Sequence, residues 1–149
     1  MSDTVIYRIK TASEEEIEMH LKKCNSDFVP PLDQKVNIRD YSSKIFNNAQ
    51  TFEAWSNNEL IGLIAVYSND QQAKNAFITN VSVEGIFKGK GIGKELMKNC
   101  IEYINGVNFN SISLEVNENS IPAIKLYEKS NFKLKERKGS SLLMQLNLK

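Results

Sequence analysis

The chain has 149 residues, 41% hydrophobic and 25% charged, the composition of an ordinary soluble globular protein long enough to bury a core as one domain, 1–149. A net charge of +1 argues against a nucleic-acid-binding surface, and no apolar run approaches the length that spans a bilayer. The polar N-terminus, MSDTVIYRIK, lacks the apolar stretch of a signal peptide. Cys24 and Cys100 are too few for a disulfide framework, which points to a reducing, cytoplasmic setting. His20 is the only histidine, so His-rich metal sites and His-based nucleophile triads are excluded; on the first helix it is expected to be solvated.

In chain order, Val5–Ile9 alternates apolar and polar residues and predicts a strand. Ser13 with Glu16 forms a capping box that opens a helix to about Cys24. Pro30 and Pro31 keep Asn25–Gln34 from being regular helix. A second helix covers Ile38–Asn47, with Ile38, Tyr41, Ile45 and Phe46 expected to face inward. Thr51–Trp55 and Leu60–Tyr67 read as a hairpin through Ser56–Glu59, followed by a polar loop at Asn69–Asn75. A strand over Ala76–Val83 leads through a glycine loop to a helix ending near Asn105, in which Cys100 lies on the apolar stripe. Ser111–Val116 is a further strand and Ser120–Ser130 a further helix. Phe132–Glu136 and Ser141–Leu148 close the chain as a hairpin through Lys138-Gly139.

The chemistry concentrates in Thr79–Cys100, TNVSVEGIFKGKGIGKELMKNC. Strand, glycines and helix start make an anion site: Gly89, Gly91 and Gly93 let backbone approach a ligand, and the first N–H groups of the helix carry partial positive charge. Lys88, Lys90 and Lys94 add to it. A P-loop is excluded, because Gly93-Lys94 is followed by Glu95 and position 88 is Lys where the first glycine belongs. A dinucleotide fingerprint fits poorly, because the last glycine spacing is wrong and the run lies past mid-chain.

Lys88-Gly89-Lys90-Gly91-Ile92-Gly93 resembles the pyrophosphate loop of the GCN5-related N-acetyltransferases, Arg/Gln-x-x-Gly-x-Gly/Ala, with Lys for the usual first residue. Downstream, NENSIPAIKLYEKSNF (Asn117–Phe132) resembles the same family's second signature, Asn-x-x-Ala-x-x-Leu-Tyr-x-Lys-x-Gly-Phe. Ala123, Leu126, Tyr127, Lys129 and Phe132 fall in register. The family's Asn is Ser120 here, with Asn119 one residue further back, and its Gly is Asn131, which tolerates the left-handed conformation best after glycine.

The resemblance implies an α+β, three-layer fold: a mixed, mostly antiparallel central sheet of about seven strands with helices on both faces. It implies acetyl-CoA as cofactor, with pyrophosphate on the amides of Gly89–Lys94, pantetheine alongside the backbone of Val81, Ser82 and Val83, and further contacts from Asn119, Ala123 and Tyr127. In the family a bulge in this strand opens the cofactor slot and frees an N–H, here near Val83, for the thioester oxygen. Tyr127 is the expected general acid, while Glu84 or Glu115, directly or through water, is the expected base. The acceptor is expected to be a small-molecule or peptide amine, met by Asp27–Gln34, Tyr41, Glu53, Trp55 and Tyr67, with Arg8, Arg39 and Arg137 the groups able to grip an acidic acceptor. A non-catalytic acyl-CoA-binding module and an O-acyltransferase are the competing readings. A homodimer through the last hairpin is open.

Overall fold

The computed structural model describes residues 4–148. Its strands are β1 (Ile6–Ile9), β2 (Gln50–Ser56), β3 (Glu59–Tyr67), β4 (Asn75–Val83), β5 (Ser111–Asn117), β6 (Lys133–Lys138) and β7 (Ser141–Asn147). Its helices are α1 (Glu14–Cys24), α2 (Ile38–Asn48), α3 (Ile92–Gly106) and α4 (Ile121–Lys129). The capping box opens α1 as expected: Glu16 N–H donates to Ser13 Oγ, and Ser13 N–H donates to Glu16. The proline segment is irregular, with one-turn helices at Asn25–Asp27 and Leu32–Gln34.

The seven strands form one sheet in the order β1-β2-β3-β4-β5-β7-β6, antiparallel except for β4 against β5. α3 and α4 cover one face around Phe52, Ile64, Leu96, Ile112 and Phe132, while α1 and α2 cover the other around Ile17, Leu21, Ile45 and Leu63. Cys100 lies in the first of these clusters. α3 comes unusually close to the sheet at Gly62. A methyl group there would lie 3.2 Å from Ala54 Cβ, Ile92 Cγ2 and Leu96 Cδ1, so the absent side chain seats the first turns of α3 on β3. No described helix is long and apolar enough to cross a membrane.

Three sequence expectations change. His20 is buried at 1% exposure, because it shares the inward face of α1 with Ile17, Leu21 and Cys24. Phe46 is 39% exposed: Ser42 and Ile45 take the inward face of α2, and Phe46 lies about 100° round the helix, where Lys10 Nζ sits 5.7 Å from its ring. Glu53 and Trp55 are unavailable to a ligand. The Glu53 carboxylate is fully buried and accepts from Thr11 N–H (3.0 Å), Ala12 N–H (3.1 Å), Thr11 Oγ1 (2.6 Å), Thr51 Oγ1 (2.6 Å) and Trp55 Nε1 (3.1 Å). It ties β2 to the chain entering α1.

Glu53→Ala leaves the Ala12, Thr51 and Trp55 donors buried without an acceptor. A loss of about 3–5 kcal/mol in unfolding free energy is expected, read from urea transitions.

Candidate active site

β4 is the strand on which the site is built. Against β3 its register runs Val83 with Gly62, Val81 with Ile64 and Asn80 with Ala65, then jumps so that Val66 faces Ile78. The extra residue, Thr79, bulges out of the ladder. On its other edge β4 pairs with β5 only from Asn75–Ser111 to Ile78–Leu114. Beyond that point β5 continues to Asn117 along β7, while β4 continues to Val83 along β3 with no strand paired to its β5 edge. The sheet therefore splits, and the split begins at the bulge.

The free edge of the split carries backbone groups. Glu84 N–H donates to Ile61 O at 2.8 Å, and the alternation of antiparallel pairing then turns Ser82 and Asn80 toward β3. Val81 and Val83 direct their N–H and C=O groups the other way, into the split. Ser82 consequently differs from its neighbours, since its backbone faces Leu63 and its side chain belongs to the α1 face. Val81, Val83, Val116, Ala123 and Leu126 are partly buried and pack on the α3/α4 core, giving the slot an apolar lining.

At one end of the slot lies the glycine loop. Gly89 (φ 79°) and Gly91 (φ 81°) hold left-handed backbone, and a methyl group on either would meet nothing within 4 Å. Gly91 is the N-cap of α3 and offers no side chain to its first N–H groups, which are left for an anion. Gly93 faces α4, where a methyl group would lie 3.4 Å from Leu126 Cδ2. Lys88 pairs with Asp27 at 3.1 Å and ties the loop to the α1–α2 connection; Lys90 lies 5.5 Å from the Phe87 ring, and Lys94 is exposed. A groove of about 720 Å³ runs from Gly91 and Lys94 along α3 past Lys98 and Glu102 to Asn131.

Tyr127 stands on the α3/α4 face, 6% exposed, with its ring 6.1 Å from that of Phe132. Burial pushes its phenol well above the ordinary value, so the hydroxyl stays protonated, and among the described residues it has no hydrogen-bond partner. The α4 helix that carries it is capped by Ser120 without a side-chain bond. Asn119 is exposed, its N–H bound to Asn117 Oδ1 at 2.8 Å. Asn131, at φ 73°, turns the chain after α4 and lets Phe132 N–H reach Tyr127 O.

The opposite face of β4 is polar. Tyr41 Oη lies 2.6 Å from Thr79 O and 2.8 Å from Thr79 Oγ1. Ser82 Oγ donates to Asn80 Oδ1 (2.8 Å), so it must accept from His20 Nε2–H (2.9 Å), and the buried Nδ1 has no partner among the described residues. Burial lowers the His20 pKa to about 4. Cys24 Sγ is 3.8 Å from the same nitrogen, but burial, reinforced by Asp27 and Glu84, raises the thiol to about 12; burial does the same to Cys100. Neither thiol is a nucleophile at neutral pH.

Glu84 ends β4 on this face with Oε2 buried and unpartnered. Glu115, on β5 across the split, is exposed and 3.5 Å from Ser141 Oγ. Of the aromatics expected around an acceptor, Tyr41 is committed to Thr79, and the Tyr67 ring faces Lys44 Nζ at 5.5 Å. Arg8 covers the Trp55 ring at 5.5 Å and Arg137 pairs with Glu118 at 2.6 Å, which leaves Arg39 exposed. Sequence reasoning missed the roles of Asn80, Ser82 and His20. Two polar residues at alternate positions inside a strand, and a histidine in step with Ile17 and Cys24, were the available signals.

The family model for the acetyltransferase (GNAT) family matches residues 14–132. An uncharacterised N-acetyltransferase of Bacillus subtilis, YvbK, is 25% identical over 96 residues, which span 64% of this chain and 61% of that protein. Among solved structures, the PaiA N-acetyltransferase of Thermoplasma acidophilum, crystallised with coenzyme A, superposes with a TM-score of 0.76 at 18% identity, covering 95% of this chain and 99% of that one. An acetyltransferase of the GNAT family from Staphylococcus aureus gives 0.77 at 18% identity, covering 99% and 100%.

The His20 shift has a pH signature. Its folded pKa of about 4 lies below the ordinary 6.5, so unfolding takes up a proton in that window. The stabilisation is complete above pH 6.5 and is lost as pH falls toward 4. Between pH 7 and pH 4.5, wild type is expected to lose up to about 3 kcal/mol more than His20→Gln in urea unfolding.

Proposed function

The chain belongs to the acetyltransferase (GNAT) family, and on that premise we propose that it is an N-acetyltransferase that moves an acetyl group from acetyl-CoA to a primary amine by direct attack within one ternary complex. The observation that carries this reading is the split between β4 and β5 with the uncapped start of α3 at its end. A slot edged by free backbone groups suits an extended amide-bearing arm, and an uncapped helix start suits a pyrophosphate. The open space in front of Gly89 and Gly91 fits a bound phosphate group, which a side chain at either position would obstruct.

In this reading the amides of Gly89–Lys94 hold the pyrophosphate, and the backbone of Val81 and Val83 aligns the arm, with Ala123 and Leu126 against its apolar side. The bound donor supplies an activated thioester. Val83 N–H offers a hydrogen bond to the carbonyl oxygen as that oxygen gains charge, an interaction whose loss elsewhere costs about 3–4 kcal/mol. Tyr127 gives its proton to the departing sulfur; its raised pKa keeps the proton available, and a free hydroxyl has no bond to break first.

The amine approaches from the α1/α2 face, where Glu84 and Glu115 stand, and either carboxylate, directly or through water, takes its proton. The protonated state of Cys24 and Cys100 supports direct attack over an acyl-cysteine route.

A panel of amines assayed for coenzyme A release with a thiol reagent tests the activity. Thermal stabilisation by acetyl-CoA with no release across the panel would favour a non-catalytic binding module. Tyr127→Phe is expected to lower kcat about 100-fold with acetyl-CoA affinity held within about twofold, and unchanged turnover would remove Tyr127 from the mechanism. Gly91→Asp forces a side chain and a negative charge into left-handed backbone at the anion site; calorimetry should detect no acetyl-CoA binding.

A further inference from the structure

We propose that Tyr41, on α2, is a positioning residue that holds β4 apart from β5 by bonding the extra residue Thr79. The inference rests on the reading that the split receives the acetyl-CoA arm.

Thr79 is the one residue of β4 left over by the pairing with β3, since Asn80 faces Ala65 and Ile78 faces Val66. It also follows directly on Ile78, the last residue of β4 that pairs with β5. A bulged residue leaves main-chain groups outside the ladder, and a half-buried carbonyl needs another donor. Tyr41 provides it from α2, a helix on the far side of the sheet from α3 and α4. A phenol has one proton, so Tyr41 Oη–H donates to Thr79 O at 2.6 Å, and Thr79 Oγ1–H donates back to Tyr41 Oη at 2.8 Å. The carbonyl and the hydroxyl of Thr79 are thereby held by one side chain. Burial raises the Tyr41 phenol to about 12, so it remains a donor across the working pH range.

Without the hydroxyl, Thr79 O has no partner, and the strand relieves the loss by shifting its extra residue within the ladder. Such a slip reverses which groups face the split. Val81 and Val83 lie two and four residues downstream, so they register any shift directly. Tyr41 touches neither the slot nor the glycine loop. Its effect reaches the arm only through the direction of the Val81 and Val83 N–H and C=O groups.

The test combines calorimetry of acetyl-CoA binding with amide hydrogen exchange of the ligand-free protein, on wild type, Tyr41→Phe and Ile45→Val. Ile45 is a buried residue of the same helix, and its truncation loosens α2 without altering Thr79. Tyr41→Phe is expected to weaken acetyl-CoA binding about tenfold, the size of one lost bond to a partly buried carbonyl, and to speed exchange at Asn80 and Ser82, whose N–H groups pair with β3 in wild type. Ile45→Val should lower the melting temperature while binding acetyl-CoA within about twofold of wild type. Tyr41→Phe binding within the same twofold overturns the proposal, whatever its melting temperature.

Should Tyr41→Phe fail to fold, Thr79→Val removes only the second contact. It is expected to weaken binding about threefold, and unchanged affinity overturns the proposal. Failure of wild type to bind acetyl-CoA refutes the cofactor reading instead. Hydrogen exchange then decides the role of Tyr41, and unchanged protection over 79–83 in Tyr41→Phe overturns it.

Discussion

A parallel pair of strands that stops pairing half-way is the constraint on which the molecule depends. β4 and β5 share four residue pairs and then separate, although both continue, and each continues because its other edge is occupied by β3 or β7. Backbone groups facing an empty slot would destabilise a closed core. Here they are tolerated because the slot opens toward the start of α3. Chain topology keeps the two strands from rejoining: α4 follows β5 directly, and Leu126 of α4 meets the first turn of α3 at Gly93.

Strand alternation divides the labour across that slot. Val81 and Val83 put apolar side chains on the α3/α4 face, where Tyr127 is buried among Phe132, Leu96 and Met97. Asn80, Ser82 and Glu84 turn to the α1/α2 face, where they meet Tyr41, His20 and Cys24. A buried chain of hydrogen bonds from His20 to Asn80 is stable only when each donor finds its acceptor, and burial of the His20 ring disfavours its protonation. Tyr127 and Glu84 thus stand on opposite faces of the sheet.

Much of this could be read from local sequence. The Ser13–Glu16 capping box, the left-handed Asn131 and the glycines at 89 and 91 are determined by residues within a few positions, and the structure reproduces them. The fold class and its order of elements followed from two motifs and the periodicity between them. What stayed hidden involves distant partners. Thr79 bulges because of its pairing with β3 and its bond to Tyr41, 38 residues away in sequence. Glu53 looked like an acid for a ligand until Thr11, Ala12 and Trp55 closed around it. His20 and Phe46 were misjudged for a different reason. On short amphipathic helices, one position round the wheel separates core from solvent, and polarity alone is a poor guide to that boundary.

Gly62 gives the architecture an uneven tolerance to change. Three side chains crowd the space above its Cα, so a side chain there must push aside Ala54 or the Ile92 and Leu96 that begin α3. The segment from Asp27 to Gln34, by contrast, consists mainly of exposed residues in short irregular turns, and only Leu32 is buried. Apart from Asp27, whose carboxylate pairs with Lys88, that segment can accumulate mutations without touching the glycine loop. The scaffold therefore constrains the start of α3 closely and leaves the α1–α2 connection free to drift.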